Sequence, residues 1–174
     1  MLKKYIKKTR FHLHFALIKK TGIGTTFLNF TIQRIFKNNS NFKEALHFTS
    51  TVIGRKLDYN KDLNTLVSFS ASHSLYLQSL NGIKLGENIL IAPGVKIISS
   101  NHNFEENRGT VPAPPIEIGN NVWLGANSII LPGVKIANNC VIGAGSVVTK
   151  SIKIPGSVVA GNPAKILKYI QTDD

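Results

Sequence analysis

Five histidines are spread through the sequence, and one of them, His102, stands where a regular pattern ends. Its surroundings read SSNHNF from Ser99 to Phe104. Imidazole exchanges protons near neutral pH, so a histidine held at the edge of a rigid element is suited to general acid–base chemistry. The remaining histidines have no comparable context: His12, His14, His47 and His73. His102 is therefore the leading candidate for a chemical role.

The sequence offers little for disulfide, thiol or metal chemistry. Cys140 is the single cysteine, which excludes an intrachain disulfide and suits a reducing compartment. It occupies an inward position of the repeat described below, so we expect a small buried hydrophobe there, not a nucleophile. Catalytic zinc takes three protein ligands, and the repeat region offers only His102 with His73 far upstream. We expect no metal site.

The pattern that ends at His102 is a repeat of six residues. From Ile118 to Lys165 each hexad opens on an aliphatic or small residue, and its fifth residue is small or branched, without a slip in the period. The same register runs from Leu85 to His102. Such periodicity predicts a mainly β fold, a parallel β-helix whose stacked coils bury one continuous core.

An interruption follows His102 directly. Residues 103–117 are polar, rich in proline and out of register, so we expect them to leave the β-helix as a loop. Loops carried by a rigid scaffold are where binding and catalysis concentrate.

Three regions are predicted along the chain. Residues 1–50 form an N-terminal helical segment lying on the end of the β-helix, with Thr25 or Thr26 as a cap and one apolar face made of Leu28, Ile32, Ile35 and Phe36. Residues 51–165 form the β-helix domain, whose degenerate first coils place three residues inward: Ala71, Leu77 and Ile83. Residues 166–174 form a short C-terminal helix that caps the other end.

The formal net charge of +12 favours anionic partners such as phosphates, acidic glycans or a membrane surface. We expect no nucleic-acid partner. The basic start of the chain admits weak peripheral membrane contact, although its lysines can equally lie in water: Lys3, Lys4, Lys7 and Lys8. No apolar run is long enough to span a bilayer, and polar residues break the run that follows the basic start, so we expect a cytoplasmic protein.

Four segments resemble the hexapeptide-repeat acyltransferases, in particular the branch that O-acetylates sugars and polysaccharides: SSNHNF, PIEIGNNVWLGANSIILPGVKI, VIGAGSVVTKSI and VVAGNPAKILK. The resemblance covers residues 75–174 closely and 51–74 loosely. It implies a left-handed β-helix, an exception to the usual right-handed crossover of parallel strands. It also implies acetyl-CoA as acyl donor, a small-molecule or glycan acceptor, and a homotrimer with active sites between subunits.

The resemblance assigns roles to individual residues. His102 is the general base that takes the proton of an acceptor hydroxyl. Trp123 walls the acyl pocket, and three positions direct main-chain amides at the thioester and pantetheine: Gly125, Ala126 and Ala144. Thr149, Lys150 and Lys165 approach the nucleotide half of the cofactor.

The acceptor side is less defined. We expect Asn101, His73 and Glu105 there, and the carboxylate that orients His102 stays open between Glu105, Glu106 and Asp58.

Rival activities stay open. An N-acetyltransferase of amino sugars would use the same fold, although such proteins often add an N-terminal nucleotide-binding domain that we do not find. Serine acetylation would call for a large helical N-terminal domain. A non-catalytic β-helix scaffold would need neither the asparagine-histidine corner nor GNPAK. The prediction is therefore an acetyl-CoA-dependent O-acetyltransferase acting on a sugar or polysaccharide.

Overall fold

The computed structural model describes residues 15–104 and 109–170. Its main body is a left-handed parallel β-helix, as predicted, and three sheets form the faces of its prism. Face A contains β1 (Thr51–Ile53), β3 (Tyr76–Gln78), β6 (Lys96–Ile98), β9 (Ile129–Ile130) and β12 (Val147–Val148). Face B contains β2 (Leu57–Tyr59), β4 (Ile83–Leu85), β7 (Ile116–Ile118) and β10 (Lys135–Ile136). Face C contains β5 (Leu90–Ile91), β8 (Trp123–Leu124), β11 (Val141–Ile142), β13 (Ser157–Gly161) and β14 (Ala164–Tyr169).

The hexad positions predicted to face inward form the core. The buried side chains of the regular coils come from the first and fifth positions of each hexad: Ile118, Val122, Leu124, Ser128, Ile130, Val134, Ile136, Cys140, Ile142, Ser146 and Val148. Cys140 is fully buried, as predicted, and burial raises the pKa of its thiol. The inward aliphatic side chains of successive coils thus stack in one column at each corner and are removed from water.

The period nevertheless slips near the end, so the prediction of an unbroken repeat is wrong there. Ile154 was expected to face inward but is exposed, whereas Val159 is buried one position before Ala160, where the period places an inward residue. Strand pairing shows the same slip. Leu124 pairs with Ile142, and the two residues are separated along the chain by the full period of three hexads. Ile142 in turn pairs with Val159, and this separation is one residue shorter than the period. The last coil is therefore shorter than the one before it.

A helix replaces the third strand of the first coil, which the sequence did not reveal. This helix, α3, runs over Leu63–Ala71, and the side chain of Asp62 caps it by accepting a hydrogen bond from Thr65 N at 3.0 Å. Ala71 is exposed at its end, so its predicted inward position is wrong. Leu77 and Ile83 are fully buried, as predicted.

Hydroxyl groups on α3 take the place of a neighbouring strand along the edge of β5. Ser68 Oγ accepts from Ile91 N at 3.0 Å and donates to Ile89 O at 3.1 Å. Thr65 Oγ1 accepts from Ile89 N at 3.0 Å, and Ser72 Oγ donates to Ile91 O at 2.6 Å. The helix therefore closes an edge that would otherwise expose unpaired backbone groups.

We expect Ser68→Ala to lower the free energy of unfolding by about 1–3 kcal/mol, because it strands a buried N–H and a buried carbonyl of β5. Urea denaturation followed by circular dichroism measures the change. Ser40→Ala, at an exposed serine, should stay within about 0.5 kcal/mol of wild type. Equal stabilities for the two variants would show that water or neighbouring groups satisfy this edge.

The N-terminal segment is helical where it is described, but it does not pack as predicted. Helix α1 covers residues 15–21, α2 covers Ile23–Phe30, and a π-helical turn covers Thr31–Ile35. Gly22, not Thr25 or Thr26, precedes α2 as its cap. Three members of the predicted apolar face are exposed: Leu28, Ile35 and Phe36. The buried residues are instead Asn29, whose side-chain amide donates to Ser70 O on α3, and Gln33, whose side-chain amide donates to Phe42 O in the segment before β1.

The predicted C-terminal helix is a strand. β14 (Ala164–Tyr169) runs antiparallel to β13, with Val158 opposite Lys168 and Ala160 opposite Lys165. The chain reverses through a tight turn at Gly161, where φ is +103°. The free edge of β13 offers a complete set of backbone partners, and these outweigh the helical pattern of the ILKYI segment.

Candidate functional site

His102 lies at the corner between faces A and B, where the chain leaves the β-helix. An antiparallel contact fixes its backbone: Val111 N donates to Asn101 O at 2.8 Å, and Asn103 N donates to Gly109 O at 2.7 Å. His102 itself pairs with Thr110, and its side chain is exposed. The predicted loop therefore does leave the prism, but its predicted end at residue 117 is wrong, because the chain returns at Ile116, the first residue of β7.

Two residues of the preceding coil hold this corner in place. The side-chain amide of Asn81 donates to Ser99 O at 2.9 Å and to Val111 O at 2.8 Å, so it joins both sides of the loop base. The side-chain oxygen of Gln78 accepts from Ser100 N at 2.9 Å. Sequence reasoning missed both residues. The register of the coils could have indicated them, since Gln78 pairs with Ile98 just before the SSNH segment.

Gly125, Ala126 and Ala144 lie together at a different corner, between faces C and A. A Cβ atom on Gly125 would lie 2.6 Å from Ile142 O and 2.7 Å from Ala144 N, so only glycine allows this approach of the two coils. Gly145 N donates to Ala126 O at 2.8 Å and continues the stack. The structure therefore brings these three predicted residues together.

Their amide groups are not equivalent. Gly125 N already donates to Ile142 O at 2.8 Å, so the prediction that its N–H faces a cofactor is wrong. Ala126 N and Ala144 N make no hydrogen bond to any residue that the structure describes. These two N–H groups are the available donors of the corner.

Trp123 begins β8 on the outer side of face C and is 51% exposed. It is flanked by Leu90 on β5 and Val141 on β11, which pair with it in register. Face C therefore carries an exposed apolar column that ends beside the Gly125 corner.

Face B has the opposite character. Glu117 lies between Lys135 at 2.9 Å and Lys84 at 3.7 Å. The hydrogen bond from Lys135 is the main reason that the pKa of the Glu117 carboxyl lies below its usual range. A charged outer face favours water, so face C is better suited than face B to contact another protein surface.

The predicted cationic residues occupy two places. Thr149 and Lys150 follow β12 at the corner between faces A and B, and both are exposed. Lys165 lies on β14 opposite Ala160, at the edge of face C. In the described part of the chain neither lysine forms an ion pair with a carboxylate, so both can meet an anionic group.

One copy of the chain does not gather these residues into a single site. His102 and Asn101 flank face A on one side, and the Gly125 corner flanks it on the other. His73 lies at the corner between faces C and A, since its carbonyl accepts from Gly94 N at 2.9 Å, so its expected place beside His102 is not observed within the chain. Its ring lies 6.1 Å from that of His47, whose pKa is lowered first by burial and then by the charge of His73.

Three carboxylates were expected as candidates to orient His102. Two of them, Glu105 and Glu106, lie outside the described residues. Asp58 lies on β2, which is separated from β7 by β4, so it is remote from the His102 corner along face B. Among the described residues no group of three histidine, cysteine or acidic side chains could hold a metal ion. Nor does any described helix have the length and apolar character needed to cross a membrane.

Comparison with known proteins places the repeat in a family. Residues 115–150, which span β7 to β12, match the family described as bacterial transferase hexapeptide (six repeats). Residues 115–150 therefore carry the hexapeptide repeat of that family. The chain is 39% identical over 79 residues to a protein named as an acetyltransferase from Dictyostelium discoideum, an alignment that covers 44% of this chain and 42% of the relative. It is 38% identical over 75 residues to the galactoside O-acetyltransferase of Escherichia coli, with coverage of 41% and 37%.

Solved structures extend the comparison to most of this hexapeptide-repeat chain. The maltose O-acetyltransferase of Clostridium difficile aligns over 90% of this chain and 89% of its own, with 27% identity and a TM-score of 0.50. A hexapeptide-repeat acetyltransferase from Vibrio cholerae, solved with acetyl coenzyme A, has 24% identity and a TM-score of 0.52 over 90% and 88%, which supports the fold. The chain spans about two fifths of the length of the curated relatives it matches.

Proposed function

We propose that this hexapeptide-repeat protein transfers an acetyl group from acetyl-CoA to a hydroxyl group of a sugar or polysaccharide. The observation that carries the proposal is the exposed His102, whose backbone is fixed on both sides at the interruption of the β-helix. Relatives named as maltose and galactoside O-acetyltransferases support the reaction class and a saccharide acceptor.

His102 acts as general base in this proposal. Its imidazole takes the proton of the acceptor hydroxyl while the hydroxyl oxygen attacks the acetyl carbonyl carbon, so a C–O bond forms. The carbon–sulfur bond then breaks, and the imidazolium returns the proton to the departing sulfur. The products are an acetyl ester and a free thiol, and no covalent enzyme intermediate forms.

The corner of Ala126 and Ala144 supplies the complementary group. Attack on the carbonyl places negative charge on its oxygen, and a rigid backbone N–H stabilises that charge without reorganisation. Ala126 N and Ala144 N are suited to this role because neither has a partner among the described residues. Acetyl-CoA supplies the activated acetyl thioester, and its phosphates would meet Lys150 and Lys165.

A second copy of the chain completes the site in this proposal, in a homotrimer with the active sites between subunits. His102 and the Ala144 corner are separated by face A within one chain, so they face each other only across a boundary between copies. The apolar column of the exposed Leu90 and Trp123 with the half-buried Val141 gives face C the character of such a boundary. Light scattering of the full chain should give three times the monomer mass, and a monomer that acetylates sugars would overturn the arrangement.

Thiol release tests the reaction. The full chain is mixed with acetyl-CoA and a panel containing maltose, a galactoside and an amino sugar, and products are identified by mass spectrometry. We expect thiol release with an acetyl ester that mild base removes. An amide product would replace this proposal by N-acetylation, and failure to bind coenzyme A would leave a non-catalytic scaffold.

A further inference from the structure

Helix α2 is oriented with its polar side toward the protein. Asn29 is fully buried, and its side-chain amide donates to Ser70 O at 2.9 Å while its oxygen accepts from Phe48 N at 3.0 Å. One helical turn on, Gln33 donates to Phe42 O at 2.6 Å and to Glu44 O at 3.0 Å. These bonds satisfy backbone groups of α3 and of the 42–48 segment before β1, so rotating the helix would strand them.

This orientation turns the apolar side of α2 outward. Ile23, Phe27 and Phe30 recur at the spacing of one helical face and are 78%, 70% and 58% exposed. We call these three residues the aromatic face, after its two phenylalanines. Further large apolar side chains are exposed around it: Phe15, Ile35 and Phe36. A group of this size is more than the scattered apolar exposure of an ordinary surface, and it indicates an interaction site.

Every charged residue of the segment that carries the aromatic face, residues 15–37, is a cation. The exposed cations of residues 15–37 are Lys19, Lys20, Arg34 and Lys37. No aspartate or glutamate precedes Glu44, whereas ten of the 21 lysines and arginines do. A helix that combines exposed aromatic residues with basic neighbours has the chemistry that binds at the interface of an anionic bilayer.

We propose that the aromatic face docks this protein onto an anionic phospholipid surface. Ile23, Phe27 and Phe30 enter the boundary between headgroups and acyl chains, and the surrounding lysines and arginines meet the lipid phosphates. A two-fold contact with the aromatic face of a second copy is a poorer alternative, because it would bring an equally basic segment against this one. The proposal is independent of the acetyl transfer proposed above, since the residues of that reaction lie on other parts of the prism.

Vesicle flotation with the full chain tests the proposal. We expect the wild-type protein to float with vesicles of phosphatidylcholine and phosphatidylglycerol, and far less with phosphatidylcholine alone. Phe27→Gln should weaken the apparent affinity about tenfold or more, because it removes one buried aromatic side chain. Phe27→Trp should keep binding, since indole is favoured at the bilayer interface.

Matched variants separate the apolar and the electrostatic contributions to membrane binding. Ile154→Gln removes an exposed apolar side chain at the other end of the β-helix and should leave flotation unchanged. Lys19→Gln should weaken binding to anionic vesicles about fivefold. Added salt should also weaken the binding of the wild-type protein to these vesicles. Acetyl transfer to a soluble acceptor should be the same for Phe27→Gln and wild type.

Two results would overturn the proposal. One is wild-type protein that stays with the soluble fraction at low salt. The other is equal flotation of Phe27→Gln and Ile154→Gln. If Phe27→Gln instead changes the mass found by light scattering, the occupant of the aromatic face is another copy of the chain.

Discussion

Replacing His102 with alanine is expected to lower kcat for acetyl transfer by about 10²–10⁴-fold, the range typical of a lost general base. The physical reason is that the acceptor hydroxyl must then attack while still carrying its proton. Coenzyme A affinity should change little, because the proposed amide donors lie at another corner of the prism, and Lys150, although at the same corner as His102, follows β12 two coils further along. Steady-state thiol release gives kcat, and calorimetric titration with coenzyme A gives the affinity.

The matched control is His47→Ala, which removes another imidazole at the N-terminal end of the β-helix, where its ring bonds to the Thr49 hydroxyl at 3.0 Å. This variant should keep kcat within about twofold of wild type. Added imidazole should restore part of the activity of His102→Ala, because it can enter the space of the missing ring and accept the proton. A His102→Ala protein with wild-type kcat would remove His102 from the mechanism.

The second large effect concerns the core. Leu124→Ala is expected to lower the free energy of unfolding by about 3–5 kcal/mol, because Leu124 is fully buried between coils and its loss leaves a cavity. Neighbouring coils cannot collapse into this space, since Leu124 is flanked in register by Ile91 and Ile142. Urea denaturation of the full chain measures the change.

Leu167→Ala removes the same number of atoms from a side chain that is 67% exposed on β14. Its stability should remain within about 0.5 kcal/mol of wild type. If both leucine variants unfold at the same urea concentration, the coil around Leu124 is not part of the cooperative unit.

The regular half of the fold could be predicted because the residue types within each hexad specify which side chains face inward. Ile118, Leu124, Ile130 and Ile142 are buried where the period places them. The same period locates the loop after His102, since a stretch that cannot supply inward side chains has to leave the prism. The burial of Cys140 follows from its hexad position in the same way.

The irregular ends could not be predicted, because their conformation depends on groups that are distant in the sequence. The third position of the first coil is a helix because the hydroxyls of Thr65, Ser68 and Ser72 can bond to β5. β14 is a strand because β13 has a free edge, although the segment by itself has a helical pattern.

Helix α2 shows most clearly that the orientation of a helix could not be predicted from its sequence pattern. Its apolar spacing predicts a buried apolar face, yet Asn29 and Gln33 turn inward because backbone groups of α3 and of the segment before β1 need partners. A side-chain amide supplies both a donor and an acceptor, whereas an aliphatic side chain would leave those groups unsatisfied. The orientation of an amphipathic helix is therefore decided by the surface that receives it.

The sequence by itself determined the β-helix, its core columns and the interruption after His102, since all of these depend on the local period. Only the tertiary structure decided that Asn81 and Gln78 hold the His102 corner, that Ala126 and Ala144 rather than Gly125 have unbonded amides, and that the aromatic face points outward. The reason is physical: a repeat specifies which side chains face inward, but hydrogen bonds between coils and at the ends specify which polar groups remain for chemistry.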